Sequence, residues 1–124
     1  MSIASLRGIR QFGHVSSDGK RCGRDFIQLR FIENSMKLSR VGIVIPSKAV
    51  KNAVERNRVR RLIRESVRQM SDVNQMPAIR DGFDIVFMVR SLPKVDSMHF
   101  VKEKITELLD LSNLLNESTR EITN

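Results

Sequence analysis

Residues 40–70 read RVGIVIPSKAVKNAVERNRVRRLIRESVRQM, and the spacing of their apolar residues changes halfway along. Arg40 to Ile45 is almost wholly apolar and β-branched, the pattern of a central strand buried on both faces, and Pro46 ends it. From Asn52 to Met70 the period becomes helical. At about 100° per residue, Val59, Leu62, Ile63, Val67 and Met70 share one stripe, which must lie on a sheet. Opposite them, within an arc of roughly 100°, stand Asn57, Arg60, Arg61, Arg64 and Arg68, while Arg56 and Arg58 flank the apolar stripe. A strand feeding a helix with one oily and one cationic face predicts a layered α/β arrangement with a charged outer surface.

Outward from this stretch the same reasoning places the other elements. Upstream, Asp25–Ile32 alternates Ile27, Leu29 and Phe31 with Gln28 and Arg30, a strand signature. Ser16–Gly19 has turn composition, and Leu6, Ile9 and Phe12 predict a short helix over Ser5–Val15, weakened by Gly8 and Gly13. Downstream, Ser71–Arg80 reads as a loop, and Asp81-Gly82 as the turn closing it. Phe83–Val89 (FDIVFMV) is a second buried strand, and Ser97–Leu115 carries Val101, Ile105, Leu108, Leu109 and Leu111 at helical spacing. The polar tail, 116–124, is expected to be flexible. With no repeat, linker or low-complexity tract, the 124 residues form one domain with an ordered core over about 5–115.

Charge narrows the function. Twenty-two Lys and Arg against fourteen Asp and Glu leave a net +8, which points to a polyanionic partner. The excess is local. Lys48–Arg68 holds eight basic residues and two acids, Glu55 and Glu65, whereas Glu103 to the end is net acidic. A solvated helix face ordinarily mixes signs into i,i+4 pairs. This one gathers arginines, whose planar forks suit phosphates. Nucleic acid is therefore the expected ligand. Phe12, outside the strands, is the best placed aromatic to stack on an unpaired base.

Other classes are disfavoured. No apolar run approaches the ~18 residues that span a bilayer, and Met1–Arg10 lacks a secretory apolar stretch, so a cytoplasmic protein without a membrane role is expected. The single cysteine, Cys22, has no disulfide partner. His14 and His99 have no spacing that suggests a pair, and Asp81 and Asp84 read as turn residues, so neither a catalytic group nor a metal site is expected on this chain. No obligate protein partner is evident.

The stretch VKNAVERNRVRRLIRE, preceded by RVGIVIPSK, resembles the bacterial ribonuclease P protein family. The motif is carried by Ala53, Arg56, Asn57, Arg58, Arg60, Arg61 and Arg64 around Leu62-Ile63. Weaker matches (Leu6, Phe12, Val15, Gly19, Phe26, Asp84-Ile85-Val86 and Arg90) extend it over roughly Leu6–Leu115. The chain departs from the family at Ser16, where an aromatic is common, and at Lys51, where glycine is common.

The resemblance implies an α/β two-layer sandwich: one mixed four-stranded sheet, three helices and a left-handed βαβ crossover. Three strands are legible, so the fourth would lie near Pro46–Val50. It also implies that Lys48, Lys51, Asn52, Arg56, Asn57, Arg58, Arg60, Arg61, Arg64 and Arg68 face RNA. Phe12 and Val15, with Leu29, would line a cleft for the 5′ leader of precursor tRNA. The partners would be a catalytic ribonuclease P RNA and precursor tRNA. That RNA would hydrolyse the phosphodiester with Mg²⁺, while this protein assists binding. A ribosome-associated or regulatory RNA-binding protein with no processing role would share the arginine face; preference for a 5′ extension separates the two.

Overall fold

A computed structural model describes residues 4–6, 12–15, 19–70 and 79–115. Five strands form one mixed sheet: β1 (Ala4–Ser5), β2 (Lys20–Arg24), β3 (Ile27–Glu33), β4 (Arg40–Val44) and β5 (Phe83–Val89), in the order β1-β4-β5-β3-β2. β1, only two residues long, is an addition to the rim of the four longer strands. The β2-β3-β5 pairings are antiparallel, and β4 runs parallel to both β5 and β1. Two helices, the central helix Ala53–Met70 and the closing helix Met98–Leu111, accompany helical residues at 12–15. The central helix makes the crossover from β4 to β5.

β5 lies in the middle of the sheet and is buried along nearly its whole length, as its unbroken apolar sequence requires. β4 does not fit the doubly buried reading. Its outer neighbour is the short β1, so only Gly42 is fully buried and the other four residues are half-exposed. The fourth strand is β2, and Pro46–Val50 is instead a turn, in which the Ala49 and Val50 amides donate to the Pro46 carbonyl. Ser5, expected in a helix, pairs with Val41 in β1. Residues 7–11, the 16–18 part of the expected turn, the 71–78 part of the expected loop and the 116–124 tail lie outside the described residues.

Register divides the sheet into two faces. Ile27, Leu29 and Phe31 stand opposite Val89, Phe87 and Ile85, and together with Val41 and Ile43 they face the two helices. Val59, Ile63, Val67 and Met70 of the central helix and Val101, Ile105, Leu108 and Leu109 of the closing helix complete this main core. The other face carries Gln28, Arg30 and Ile32 beside Met88, Val86 and Asp84. There Leu6, Val15 and Val86 form a smaller buried cluster, with Phe12, Ile32 and Val44 packed against it.

Side chains fix where the helices begin. Asn52 Oδ1 accepts hydrogen bonds from the Val54 and Glu55 amides (2.8 and 3.3 Å), and Ser97 Oγ accepts from Phe100 N (3.1 Å). The closing helix stops at Leu111 rather than Leu115. Asn113 adopts a left-handed φ of 57°, which turns buried Leu114 and Leu115 back so that Leu115 bridges to Ile79.

Asp84 is not a turn residue. It is fully buried in β5, where both oxygens are held by Arg40 (Nε 2.8 Å, Nη2 2.6 Å) and one also accepts from Asn34 Nδ2 (2.9 Å). Burial pushes its carboxyl up, but the Arg40 and Asn34 hydrogen bonds and the Arg40 charge outweigh that and hold it below the usual carboxylate range. The same hydrogen bond raises Arg40 further.

Candidate nucleic-acid interface

The central helix buries Val59, Ile63, Val67 and Met70 as its pattern requires, with Leu62 partly covered. Ser66 joins them in the interior because its hydroxyl donates to the Leu62 carbonyl (2.8 Å), so a polar residue crosses into the apolar stripe at no cost in unsatisfied groups. The cationic residues around this stripe divide by what each guanidinium touches.

Arg56 folds back: its Nη1 donates to the Val50 and Lys51 carbonyls, both at 2.8 Å, and so holds the turn that delivers the chain into the helix. With no glycine at Lys51, this clasp and the Asn52 cap define the turn. Arg60, expected on the outer arc, is half-buried on the β4 side and donates to the Ile43 carbonyl (3.1 Å). Arg58 pairs with Asp96 on the loop before the closing helix. Arg68 pairs with Glu65 one turn earlier, and this bond holds the Glu65 carboxyl below its usual range.

Arg61 and Arg64 differ from all of these. Both are exposed, and neither makes a hydrogen bond or ion pair with the described residues. Asn57 is exposed beside them, and Lys48 and Lys51 are exposed ahead of the helix. The outer surface therefore carries two guanidiniums with no acceptor among the described residues, one turn of helix from partnered neighbours. An anion with several acceptor oxygens can bind there without breaking any contact among the described residues.

The second candidate region, the cleft near Phe12, differs from expectation. Leu29 cannot line it. The alternation of β3 puts Leu29 on the same face as Ile27, fully buried beneath the helices and on the opposite side of the sheet from Phe12. Val15 is also fully buried, packing with Leu6 and Val86 as support beneath the surface. Phe12 alone of the three remains partly accessible. The β3 residues that share its face are Gln28, Arg30 and Ile32, beside Met88, Val86 and Asp84. Their phase in the Gln28-Leu29-Arg30 alternation was the signal that could have found them.

Phe12 is held in place by Gly42. A β-carbon built on Gly42 would sit 2.5 Å from two ring carbons of Phe12, so the ring packs directly against the glycine of β4, a contact that only a residue without a side chain permits.

His99 lies near Glu103 on an exposed face (3.7 Å), and His14 is likewise exposed. No group of three His, Cys, Asp or Glu side chains able to hold a metal occurs among the described residues. The buried Asp84 has both oxygens engaged by Arg40 and Asn34, so this carboxylate does not fit a resident Mg²⁺. Among the described residues, no helix is long and apolar enough to cross a membrane.

Comparison with known proteins agrees with this geometry. The Ribonuclease P family model matches residues 2–111. The ribonuclease P protein component of Caldanaerobacter subterraneus is 32% identical over 118 residues, covering 95% of this chain and 97% of that protein. The ribonuclease P protein from Thermotoga maritima superposes with a TM-score of 0.72 at 32% identity, over 86% of this chain and 96% of that one. The Staphylococcus aureus ribonuclease P protein shares the fold at a TM-score of 0.74 and 21% identity, over 90% and 97% of the two chains. Arginine helix, mixed sheet and family match converge: the chain belongs to the ribonuclease P protein component family.

Proposed function

We propose that this protein binds the catalytic RNA of ribonuclease P through the outer face of the central helix and presents precursor tRNA to it. The observation that supports this most strongly is the exposed pair Arg61 and Arg64, without a partner among the described residues and flanked by Asn57 and the exposed Lys48 and Lys51. The two guanidiniums neutralise phosphates that RNA folding brings close together. Arg56 and Arg60 position the face, and Arg58 and Arg68 contribute when a phosphate competes with Asp96 and Glu65.

The 5′ leader of the precursor is assigned to the sheet face carrying Phe12, Gln28 and Arg30, where an aromatic ring and polar groups lie beside a small apolar cluster. Hydrolysis belongs to the RNA, with Mg²⁺ held by the ribonucleoprotein rather than by donors of this chain, in the cytoplasm. By neutralising phosphates, the protein lowers the Mg²⁺ concentration that the complex requires.

The test is cleavage of a 5′-extended precursor tRNA by a bacterial ribonuclease P RNA at low Mg²⁺, with and without the protein. Strong stimulation that is lost on changing Arg60, Arg61 and Arg64 to Ala supports the proposal. Absence of stimulation, with tight binding to other structured RNAs retained, overturns it.

A further inference from the structure

The exposed residues of the central helix, Ala53, Val54, Asn57, Arg61, Arg64 and Arg68, recur every three or four positions and so form one line along its outer side. That line is not uniformly cationic. Its later part carries Arg61 and Arg64, without partners among the described residues, and Arg68, held by Glu65. Its earlier part carries Val54 and Asn57, neither of them charged. Ahead of the helix the charge returns, with exposed Lys51 and Lys48. Cations therefore stand at both ends of an uncharged stretch from Val54 to Arg61, roughly 10 Å of helix axis at about 1.5 Å per residue.

The neighbouring guanidiniums do not fill this stretch. Arg56 is turned to the Val50 and Lys51 carbonyls, Arg58 to Asp96, and Arg60 to the Ile43 carbonyl. Val54 is 76% exposed and belongs to neither hydrophobic cluster. Asn57, one turn on, has no hydrogen-bond partner for its amide among the described residues. Val54 and Asn57 border one shallow outer hollow together with Arg60, Arg61 and Arg64. Phosphates account for the two ends of the line and leave its middle unexplained.

We propose that the central helix lies across the minor groove of double-helical RNA, with Lys48 and Lys51 toward one backbone, Arg61 and Arg64 on the other, and Val54 and Asn57 over the riboses between. This rests on the RNA-binding function proposed above and names the RNA element that the helix takes. A groove presents the matching order of surfaces: phosphate, then sugar and base edge, then phosphate. The A-form minor groove is wide and shallow and displays 2′-hydroxyls, whereas the A-form major groove is too deep and narrow for side chains to read. The minor groove of B-DNA, about 6 Å wide, excludes a helix about 10–12 Å across. Its major groove admits a helix but carries no 2′-hydroxyl. An amide both donates and accepts, as a ribose hydroxyl does, so Asn57 can meet a 2′-OH while the Val54 methyls lie on ribose carbons. Asn57 is the specificity-determining residue, because it separates RNA from DNA and phosphate-binding arginines do not.

The experiment measures, by fluorescence anisotropy, binding of the full-length protein to three blunt duplexes of one sequence and to the unpaired RNA strand. The duplexes are RNA, RNA with fluorine in place of every 2′-hydroxyl, and DNA. The fluoro duplex keeps the A-form and its phosphates but loses the hydroxyl donor. The RNA duplex is expected to bind about fivefold tighter than the other two, the scale of one neutral hydrogen bond. Asn57→Ala is expected to abolish that preference by weakening the RNA duplex alone, with the salt dependence of binding unchanged. Val54→Ala is expected to weaken the RNA duplex about fourfold, the scale of one buried methylene, again at unchanged salt dependence. Arg64→Ala is expected to weaken all three duplexes and to flatten the salt dependence. Equal affinity for the RNA and fluoro duplexes overturns the proposal. A preference that survives Asn57→Ala overturns it too, as does an Asn57 dependence confined to the unpaired strand. Stimulation of ribonuclease P cleavage by the same preparation separates the two readings. With stimulation intact, such results overturn the minor-groove placement alone; with stimulation absent, they overturn the function proposed above as well.

Discussion

Arg40 and Arg64 are the same side chain used in opposite ways. Arg40 leaves 20% of its side chain exposed and has its charge balanced by the fully buried Asp84, so it ties β4 to β5. Arg64 stands in solvent with no partner among the described residues. Local arginine density by itself therefore does not mark the guanidiniums that the fold leaves open to a ligand. What separates them is whether the fold already supplies the carbonyl or carboxylate that the guanidinium needs. Arg56 and Arg60 belong with Arg40 in this respect, although they sit inside the most basic segment of the chain.

The largest effect is expected from removing the two helix arginines that have no partner among the described residues. Arg61→Ala with Arg64→Ala should weaken binding of the ribonuclease P RNA by about 3–6 kcal/mol, from charge-assisted bonds of about 1.5–3 kcal/mol each, in a filter-binding titration. Urea denaturation of the same variant should give wild-type stability, because no internal contact is lost. Asp84→Ala inverts this result. It leaves Arg40 without its carboxylate and should lower stability by about 3 kcal/mol in a urea titration.

Acid sharpens the same contrast. The folded pKa of Asp84 is depressed, so its stabilisation is complete above the unfolded value of about 3.9 and is lost as pH falls through the lower folded value. Unfolding followed below about pH 4 should therefore show a steep loss of stability in the wild type and a shallower one in Asp84→Asn.

Arg56→Ala occupies the middle ground. Losing two carbonyl contacts at the helix entrance should cost about 1–2 kcal/mol of stability, and lysine, with no planar fork, should restore only part of it. The smallest effect is expected at Asp96. The Arg58–Asp96 pair is partly exposed on both sides, so Asp96→Asn should change stability by about 0.5 kcal/mol or less, while freeing Arg58 to tighten RNA binding about twofold.

Much of this was legible in the chain, and the exceptions have physical causes. Phe83–Val89 is seven residues with no polar interruption except Asp84, and its observed bounds are those its sequence suggested. The central helix begins one residue from its expected start, because Asn52 is its cap rather than its first residue. β2 was invisible because KRCGR has no apolar alternation; it lies at the sheet edge, where charged side chains are tolerated and protect against unwanted pairing. Leu29 was misplaced because alternation gives two faces without saying which one the helices cover. Nothing local to Arg58 or Arg60 announces Asp96 or the Ile43 carbonyl, since both partners are brought in by tertiary folding. The Phe12–Gly42 contact spans thirty residues of sequence and follows from the pairing of β1 with β4.

The most direct test of the division between partnered and unpartnered arginines is the salt dependence of RNA binding. The slope of log affinity against log salt counts the phosphates neutralised, at about 0.7–0.9 per contact. For Arg61→Ala with Arg64→Ala it should fall in magnitude by about 1.5 relative to wild type, and for Arg56→Ala it should not change. An unchanged slope in the double variant, or an equal fall in Arg56→Ala, would contradict the account.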